Sequence, residues 1–229
     1  MEFTKLSNRL DLVASFVPVG ARLLDVGSDH AYLPIALLQE GKIEAAIAGE
    51  VVEGPYQSAL QNVADNGLED KIEVRLANGL AAFEPADGIS CITIAGMGGR
   101  LIADILAAGL DKLANVSRLV LQPNNREDEL RAWLVEHDFR IVDEAILEEN
   151  EKFYEILVVE QGSQELTAKE LRFGPYLMRE QAPAFVQKWS KEVEKLAFAL
   201  EQVPVENQSA RASLEERIAQ IKEVLHVSK

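Results

Sequence analysis

The stretch that decides the fold is LLDVGSDHAYLP, residues 23–34. An apolar strand pattern ends there at Asp25 and Gly27, and a helical pattern begins a few residues later at Tyr32. In an open parallel sheet, ligands bind beyond the carboxyl ends of the strands, where such turns lie. Gly27 allows close approach because it has no Cβ. The stretch therefore predicts a ligand site at the end of the first strand of an α/β sheet.

Outward from this stretch, short β-branched apolar runs alternate with amphipathic segments up to about residue 160. This alternation predicts an α/β domain with a mostly parallel sheet and helices on both faces. Seven strands are expected, at 22–26, 45–50, 72–76, 90–95, 118–121, 140–146 and 154–159. The segment between the last two is too short for a crossover helix. These two strands should therefore form a hairpin, with one of them antiparallel to the sheet.

The pattern changes from residue 166 onward, where strands stop and long helical segments begin. Apolar residues recur at spacings of three and four in two runs, 189–203 and 214–225, with a breaker at 204–209 between them. Such spacing predicts an antiparallel coiled-coil hairpin. We expect two domains, a ligand-binding α/β domain at 1–162 and a helical coiled-coil domain at 163–229.

Composition limits the class of protein. The chain has 229 residues, 48% of them hydrophobic, and a single cysteine, Cys91, so a sizeable core is expected and an intrachain disulfide is excluded. Its apolar runs are too short to span a bilayer, and its N-terminus lacks a signal-peptide pattern. We therefore expect a cytoplasmic globular protein with no membrane partner and no bound metal. Cys91 opens an apolar strand, which indicates a small buried hydrophobe rather than a nucleophile.

Charge is distributed unevenly along the chain. Residues 166–229 hold 10 basic and 9 acidic residues, whereas the other 165 residues hold 13 and 29, for a net charge of −15. Binding of nucleic acid needs positive charge, which a net charge of −15 argues against. Because the C-terminal part is nearly neutral, however, the net charge of the whole chain does not decide whether nucleic acid is a partner. Lys188, Lys191 and Lys195 form one stripe along a helix, opposite the apolar seam and free for solvent. The stripe is either a solvated face or a surface that docks phosphates.

Polar residues also follow the second and third expected strands. Glu50 and Val51 end the second, where a carboxylate can accept both hydroxyls of an adenosyl ribose. Asn78 and Gly79 follow the third, where they could meet an adenine edge. Helix-capping or turn chemistry would explain either acidic strand end alone. Together, at successive strand ends, these residues favour a ligand site.

The first turn argues against a dinucleotide cofactor. A pyrophosphate needs G-x-G-x-x-G before a helix, but the chain has Gly27, Ser28 and Asp29, and a carboxylate repels phosphate. A cofactor with a cationic sulfonium and an ammonium, and no phosphate, fits this turn. His30 is either a structural histidine or a contact to the cofactor.

Two further segments lie where an acceptor would meet the cofactor. Residues 95–99, AGMGG, end the fourth strand, and the third glycine position of a nucleotide loop holds Leu101. This segment is either a tight turn or the floor of an acceptor pocket that orients a flat substrate. Residues 124–126, NNR, follow the fifth strand, where they either cap the next helix or border the acceptor pocket.

Three motifs, DVGSDHAYLP at 25–34, IAGMGG at 94–99 and LQPN at 121–124, together resemble the bacterial tRNA adenine-22 N1-methyltransferases. LSNRL at 6–10 and YE at 154–155 fit the same pattern. The resemblance covers the whole chain, since that family has a C-terminal coiled coil after its methyltransferase domain. It implies a Rossmann-like class I methyltransferase with strand order 3-2-1-4-5-7-6.

The resemblance implies methyl transfer from S-adenosylmethionine to N1 of an adenine, at position 22 in the D-arm of tRNA. N1 is neutral and has an in-plane lone pair, so positioning should suffice without a general base. N1 lies on the pairing edge, so the base must turn out of the helix. Asp29 would contact the adenine amino group or balance the charge on the methylated ring. Arg9 would lie over the cofactor carboxylate.

The predicted site residues form three groups. Those near the transferred methyl are Asp29, Gly96, Met97 and Gly98. Those that bind the cofactor are Arg9, Asp25, Gly27, Ser28, Asp29, His30, Glu50, Val51, Asn78, Gly79, Ala95 and Gly96. Those that bind tRNA are Tyr32, Asn124, Asn125, Arg126, Lys188, Lys191 and Lys195. The alternatives are a small-molecule methyltransferase, which would not need the projecting arm, and a noncatalytic RNA-binding protein, which would not need intact polar strand ends.

Overall fold

The computed structural model describes residues 4–226, and seven strands of this part of the chain form one sheet. In chain order they are β1 (Ala21–Val26), β2 (Ile43–Glu50), β3 (Ile72–Leu76), β4 (Cys91–Met97), β5 (Arg118–Pro123), β6 (Phe139–Glu149) and β7 (Lys152–Gln161). Their order across the sheet is β3-β2-β1-β4-β5-β7-β6, as predicted. β1 to β5 pair in parallel, and β7 runs antiparallel to both of its neighbours.

The β6–β7 hairpin is longer than the sequence pattern predicted. Its turn consists of Asn150 and Glu151, both with positive φ (52° and 63°), as the right-handed twist of a hairpin favours. Pairing continues up to Glu149 opposite Lys152. The sequence pattern ends the sixth strand at residue 146, but pairing continues through Leu147, Glu148 and Glu149. The hairpin therefore projects beyond the carboxyl ends of its neighbours.

Helices cover both faces of the sheet. In chain order they are α1 (Asn8–Phe16), α2 (Tyr32–Gln39), α3 (Glu53–Asp65), α4 (Gly99–Ala107), α5 (Glu127–Glu136), α6 (Ala168–Phe173), α7 (Pro175–Glu180), α8 (Pro183–Gln202) and α9 (Gln208–His226). Side chains alternate between faces along β1. Leu24 packs in the core with α4 and α5, and Leu23 in the core with α1, α2 and α3. No helix of the described residues combines the length and apolarity needed to cross a membrane.

The C-terminal helices pack against the hairpin side of the sheet. α8 and α9 form the predicted helical hairpin, with Trp189, Leu196 and Ile221 in one apolar cluster. Ile146 of β6 belongs to the same cluster, so the arm and the sheet share a core. The division into domains 1–162 and 163–229 stays a prediction. The short helices α6 and α7 were not predicted, because six residues leave little periodicity to detect.

The lysine stripe on α8 is not uniform. The Lys188 Nζ lies 2.6 Å from Glu155 Oε1 and 3.1 Å from Glu127 Oε1. The prediction that Lys188 is free for solvent is therefore wrong. Heptad spacing shows only the seam between the two long helices, whereas β7 and α5 approach α8 from another side. Lys191 and Lys195 are exposed, as predicted.

Candidate active site

A cleft of about 250 Å³ lies at the carboxyl ends of β1 and β4. The chain leaves β1 toward β2 on one side and returns to β4 on the other, so the strand order reverses here. Open α/β sheets bind their ligands at this kind of reversal. The lining residues are Arg9, Leu10, Asp25, Gly27, Ser28, Asp29, Leu33, Ala95, Gly96 and Met97. Eight of them are predicted site residues, drawn together from α1, the turn after β1 and the end of β4.

Asp25 is buried beneath the cleft and accepts two short hydrogen bonds. Ser28 Oγ donates to its Oδ2 at 2.6 Å, and Thr93 Oγ1 donates to its Oδ1 at 2.6 Å. Burial raises the pKa of the Asp25 carboxyl, and the two hydroxyl donors offset this only in part. Thr93 was not among the predicted residues. Its signal is the register of β4 against β1, which pairs it with Asp25 and which the sequence does not display.

The turn after β1 has an unusual backbone. Asp29, His30 and Ala31 have φ values of 44°, 69° and 60°, a left-handed run that non-glycine residues rarely adopt. Such conformations cluster at ligand sites, where surrounding structure enforces them. Here the run brings the backbone N–H groups of Asp29 and His30 near the Glu50 carboxylate, where they lower its pKa. Consecutive N–H groups of this kind form a small concavity for negative charge.

Glu50 ends β2 and contacts this turn. It is 4% exposed, and its Oε1 has no hydrogen-bond partner among the described residues. Burial raises the pKa of the Glu50 carboxyl, and the two backbone N–H donors lower it in part. A buried acceptor without a donor is costly, so this oxygen is matched to hydroxyl groups that a ligand supplies. A ribose diol fits that requirement.

Other predicted cofactor residues lie beside the cleft rather than in its lining. Val51 is exposed, and Asn78 is exposed just before a 3₁₀ turn. Gly79 is buried, with φ +55°, and Ile105 lies 2.9 Å from the place that a Cβ would take. The backbone N–H of Ala77 donates to Glu50 O, so these strand ends adjoin Glu50.

His30 and Tyr32 stand at the rim of the turn. His30 is half-buried, and its ring lies 5.4 Å from that of Tyr32. The His30 Nε2 is 3.4 Å from Asp29 Oδ1. The Asp29 side chain is 84% exposed, so its carboxylate faces the opening of the cleft. These three side chains are placed to meet a ligand that enters from solvent.

Gln122, at the end of β5, organises the acceptor side. Its Oε1 accepts from Arg9 Nη1 at 2.6 Å and from Gly96 N at 3.1 Å. Its Nε2 donates to Pro123 O and to Asn124 Oδ1. The side chain is fully buried with all four hydrogen-bonding positions used. The LQPN motif contains Gln122, but the prediction assigned only Asn124. A polar residue at the end of an apolar strand is the signal that could have found it.

The turn after β4 is braced rather than open. Gly96 has φ +78°, and Asn124 Nδ2 donates to its carbonyl at 2.7 Å. The Asn124 N–H donates to Met97 O, also at 2.7 Å. Asn125 Oδ1 lies 3.1 Å from the place that a Cβ of Gly98 would take. Three backbone groups of this turn, Gly96 N, Gly96 O and Met97 O, thus already have partners within the protein. A side chain at Gly96 would be strained whatever space it found.

Arg9 and Arg126 differ in their relation to the cleft. The Arg9 Nη1 lies 3.5 Å from the Cβ position of Gly96, and its guanidinium lies 5.5 Å from the centre of the Tyr154 ring. α1 therefore extends a cation across the cleft. Arg126 is exposed at the N-cap position of α5, makes no side-chain cap and pairs with Glu129.

Cys91 takes the structural role predicted for it. It is fully buried, and burial raises the pKa of its thiol to about 12. Within residues 4–226, no three His, Cys, Asp or Glu side chains are grouped to hold a metal ion. The polar side chains that line the cleft are the carboxylates of Asp25 and Asp29, the Ser28 hydroxyl and the Arg9 guanidinium.

The predicted RNA-binding residues are only partly brought together. Asn124 and Asn125 border a second, larger groove, which the three predicted lysines of α8 also line. Tyr32 and Arg126 do not line it.

Known proteins are similar to this chain in sequence. The sequence profile of the TrmK family, described as tRNA (adenine(22)-N(1))-methyltransferase, matches residues 23–223. A tRNA (adenine(22)-N(1))-methyltransferase of Bacillus subtilis (strain 168) is 40% identical over 236 residues, 98% of this chain and 99% of its own.

Solved structures extend the match to the fold. Streptococcus pneumoniae Sp1610 in complex with S-adenosyl-L-methionine is 66% identical, with a TM-score of 0.90 over 97% of this chain and 100% of that chain. M. capricolum TrmK in complex with S-adenosyl-homocysteine is 29% identical, with a TM-score of 0.84 over 98% and 99%. The fold is that of Rossmann-like class I methyltransferases, as predicted. The chain belongs to the family of tRNA (adenine(22)-N(1))-methyltransferases.

Proposed function

We propose that this chain transfers the methyl group of S-adenosylmethionine to N1 of adenine 22 in tRNA. One observation carries the proposal. Asp25 and Glu50 are buried at adjacent strand ends with no ion-pair partner among the described residues, and Glu50 Oε1 lacks any hydrogen-bond donor. The relative from Bacillus subtilis and the cofactor bound to Sp1610 support the same reaction.

The residues around the cleft fit that cofactor. Glu50 would accept the two ribose hydroxyls, and the Arg9 guanidinium would hold the carboxylate of the methionine part. Asp25, through Ser28, holds the turn that follows β1. When bound, S-adenosylmethionine supplies an electrophilic methyl group on a positively charged sulfur. The acidic side chains Asp25, Asp29 and Glu50 favour that charge over the phosphate of a nucleotide.

On the acceptor side, the chain's task is positioning. Adenine N1 attacks with its own lone pair, so no side chain has to remove a proton first. The turn at Gly96, Met97 and Gly98, braced by Gln122 and Asn124, would hold the flat base in line with the methyl group. Asp29, at the rim, would accept a hydrogen bond from the adenine amino group or balance the charge that methylation leaves on the ring.

Adenine 22 must leave its helix to reach the cleft. The exposed rim residues His30 and Tyr32, together with Asn125, are suited to contact a base that arrives from solvent. Since the proposed substrate is tRNA, we expect the enzyme in the cytoplasm.

The test is methylation of defined transcripts. The purified chain is incubated with labelled S-adenosylmethionine and a tRNA that has adenine at position 22, and nucleosides are analysed by mass spectrometry. We expect one N1-methyladenosine per tRNA. A matched transcript with guanine at position 22 should take up no label. Equal labelling of both transcripts, or methylation at another atom of adenine, would contradict the proposal.

A further inference from the structure

A groove of about 780 Å³ lies between the β6–β7 turn, the start of α5 and one face of α8. Its volume falls within the roughly 300–1,000 Å³ typical of ligand sites. Asn124 and Asn125 line the groove, and they also contact Gly96 and lie against Gly98 in the acceptor turn. The groove therefore opens directly beside the place proposed for adenine.

The groove concentrates positive charge in an acidic protein. Its cationic side chains come from β7, α6, α8 and α9, and they are Lys152, Arg172, Lys188, Lys191, Lys195 and Arg217. Its acidic side chains are Glu127, Asp128, Glu151 and Glu192. The cations outnumber the acids by two, whereas the chain as a whole has a net charge of −15. Folding adds cations of three other elements to the three lysines of α8, so no single segment of the sequence shows the whole excess.

These cations are not equally available. Lys188 is held by Glu155 and Glu127, and Arg172 Nη1 donates to Gln220 Oε1. Lys152 and Lys191 are exposed, and neither has a carboxylate within ion-pair distance in the part of the chain that the structure describes. The Lys191 Nζ lies 5.1 Å from the ring centre of Phe153.

We propose that this groove binds the tRNA strand next to the methylated adenine, with phosphates on Lys152 and Lys191 and a base against Phe153. The inference rests on the proposed function. Phosphate contacts supply most of the affinity for RNA, and unpaired bases stack on aromatic side chains. The α/β domain around the cleft is acidic and repels phosphates, so the RNA needs a cationic surface adjoining the acceptor turn. Lys188 fixes the wall of the groove and does not contact RNA.

The test compares two charge reversals on the same helical arm. Lys191→Glu lies in the groove, whereas Lys222→Glu changes an exposed lysine of α9 that does not line it. The dissociation constant for tRNA is measured by fluorescence anisotropy at several salt concentrations. We expect Lys191→Glu to weaken binding by about tenfold and to lower the salt slope by about one. Lys222→Glu should change the affinity by less than about twofold.

Additional readouts separate RNA docking from damage to the enzyme. Lys191→Glu should retain the melting temperature, the affinity for S-adenosylmethionine and kcat at saturating tRNA, while KM for tRNA rises. Lys152→Glu should behave in the same way. Phe153→Leu keeps an apolar side chain but loses the aromatic face, so we expect it to bind tRNA more weakly. Phe153→Tyr keeps the aromatic face and should bind tRNA as well as the unaltered chain.

Two outcomes distinguish failure of this inference from failure of the proposed function. If the unaltered chain methylates tRNA but Lys191→Glu and Lys152→Glu bind it no more weakly than Lys222→Glu, the groove is not the docking surface. If the unaltered chain does not methylate tRNA, the proposed function itself fails.

Discussion

The buried carboxylates at the cleft differ from those at the base of the helical arm, because only those at the base of the arm form ion pairs within the described residues. At the cleft, neither Asp25 nor the neighbouring Glu50 forms an ion pair with any cation of residues 4–226, and burial raises the pKa of both. At the base of the arm, Glu155 lies between Arg131 and Lys188. Burial would raise the pKa of Glu155, but these two cations lower it below its ordinary value.

A cationic partner within the protein, rather than the direction of the pKa shift, distinguishes a structural carboxylate from one that awaits a ligand, because burial raises the pKa of Glu144 even though Arg131 pairs with it. Arg131 is fully buried; its Nε donates to Glu144 at 2.8 Å and its Nη2 donates to Glu155. Tyr176 N–H also donates to Glu144. Inside this network, each charge finds its partner within the protein. Among the described residues, Asp25 and Glu50 have only neutral donors, which matches them to the cationic and hydroxyl groups that a cofactor supplies.

The largest expected effect is the loss of Arg131. Arg131→Met leaves Glu144 and Glu155 buried without their shared cation, and removing one partner of a buried pair costs about 3–5 kcal/mol. Urea unfolding of the whole chain measures this change. Arg140→Met is the control, because Arg140 is 52% exposed and pairs with Glu160 at the surface. Such pairs are worth about 0–1 kcal/mol. Similar decreases in the free energy of unfolding for both variants would show that the buried ion pairs stabilise the protein no more than the surface pair does.

The same chemical change should act oppositely in the two regions. Glu50→Gln should weaken binding of S-adenosylmethionine by about 1.5–3 kcal/mol, the range for hydrogen bonds to a charged group, without lowering the stability of the ligand-free chain. Glu155→Gln should lower stability by a similar amount and leave cofactor affinity unchanged. Calorimetric titration and urea unfolding measure the two quantities. Unchanged cofactor affinity in folded Glu50→Gln would remove Glu50 from the ribose site.

The pH dependence of these variants follows from the signs of the shifts. The folded pKa of Glu50 lies above its ordinary value of 4.5, so its contribution to stability is lost as pH rises through that folded pKa. The free energy of unfolding of Glu50→Gln should therefore rise relative to that of the unaltered chain as pH increases above about 4.5. The folded pKa of Glu155 is lowered, so its stabilisation is present above 4.5 and is lost as pH falls. The deficit of Glu155→Gln should shrink in acid.

The smallest expected effects on stability come from substitutions of two lysines of α8. Lys188→Gln removes a half-buried cation from Glu155 and Glu127 and should lower stability by about 1–3 kcal/mol. Lys195 is 77% exposed and lies 3.8 Å from Glu192, so Lys195→Gln should change stability by less than about 0.5 kcal/mol. Thermal unfolding distinguishes them. Equal effects would restore the view that the lysine row is a uniform solvent face.

Local patterns predicted the sheet and most of the cleft. Asp25, Glu50 and Gly96 stand at the ends of apolar runs, and parallel strands bring such ends to one edge, so their proximity follows from sequence order. Thr93 and Gln122 were missed because their roles depend on which strands are neighbours and on side-chain direction. Lys188 was misplaced because heptad spacing describes only one helix pair, whereas β7 and α5 supply its partners.

The sequence by itself determined the class of fold and the chemistry of the strand ends, because hydrophobic periodicity and turn residues are local properties, whereas the strand order was expected only from the family resemblance. Its family motifs determined the expected reaction. Only the tertiary structure decided which buried charges are neutralised, since that depends on contacts between residues as distant as Lys188 and Glu155. It also decided where the scattered cations of four elements converge beside the cleft. Such long-range pairings are set by packing of the whole chain, and no single segment encodes them.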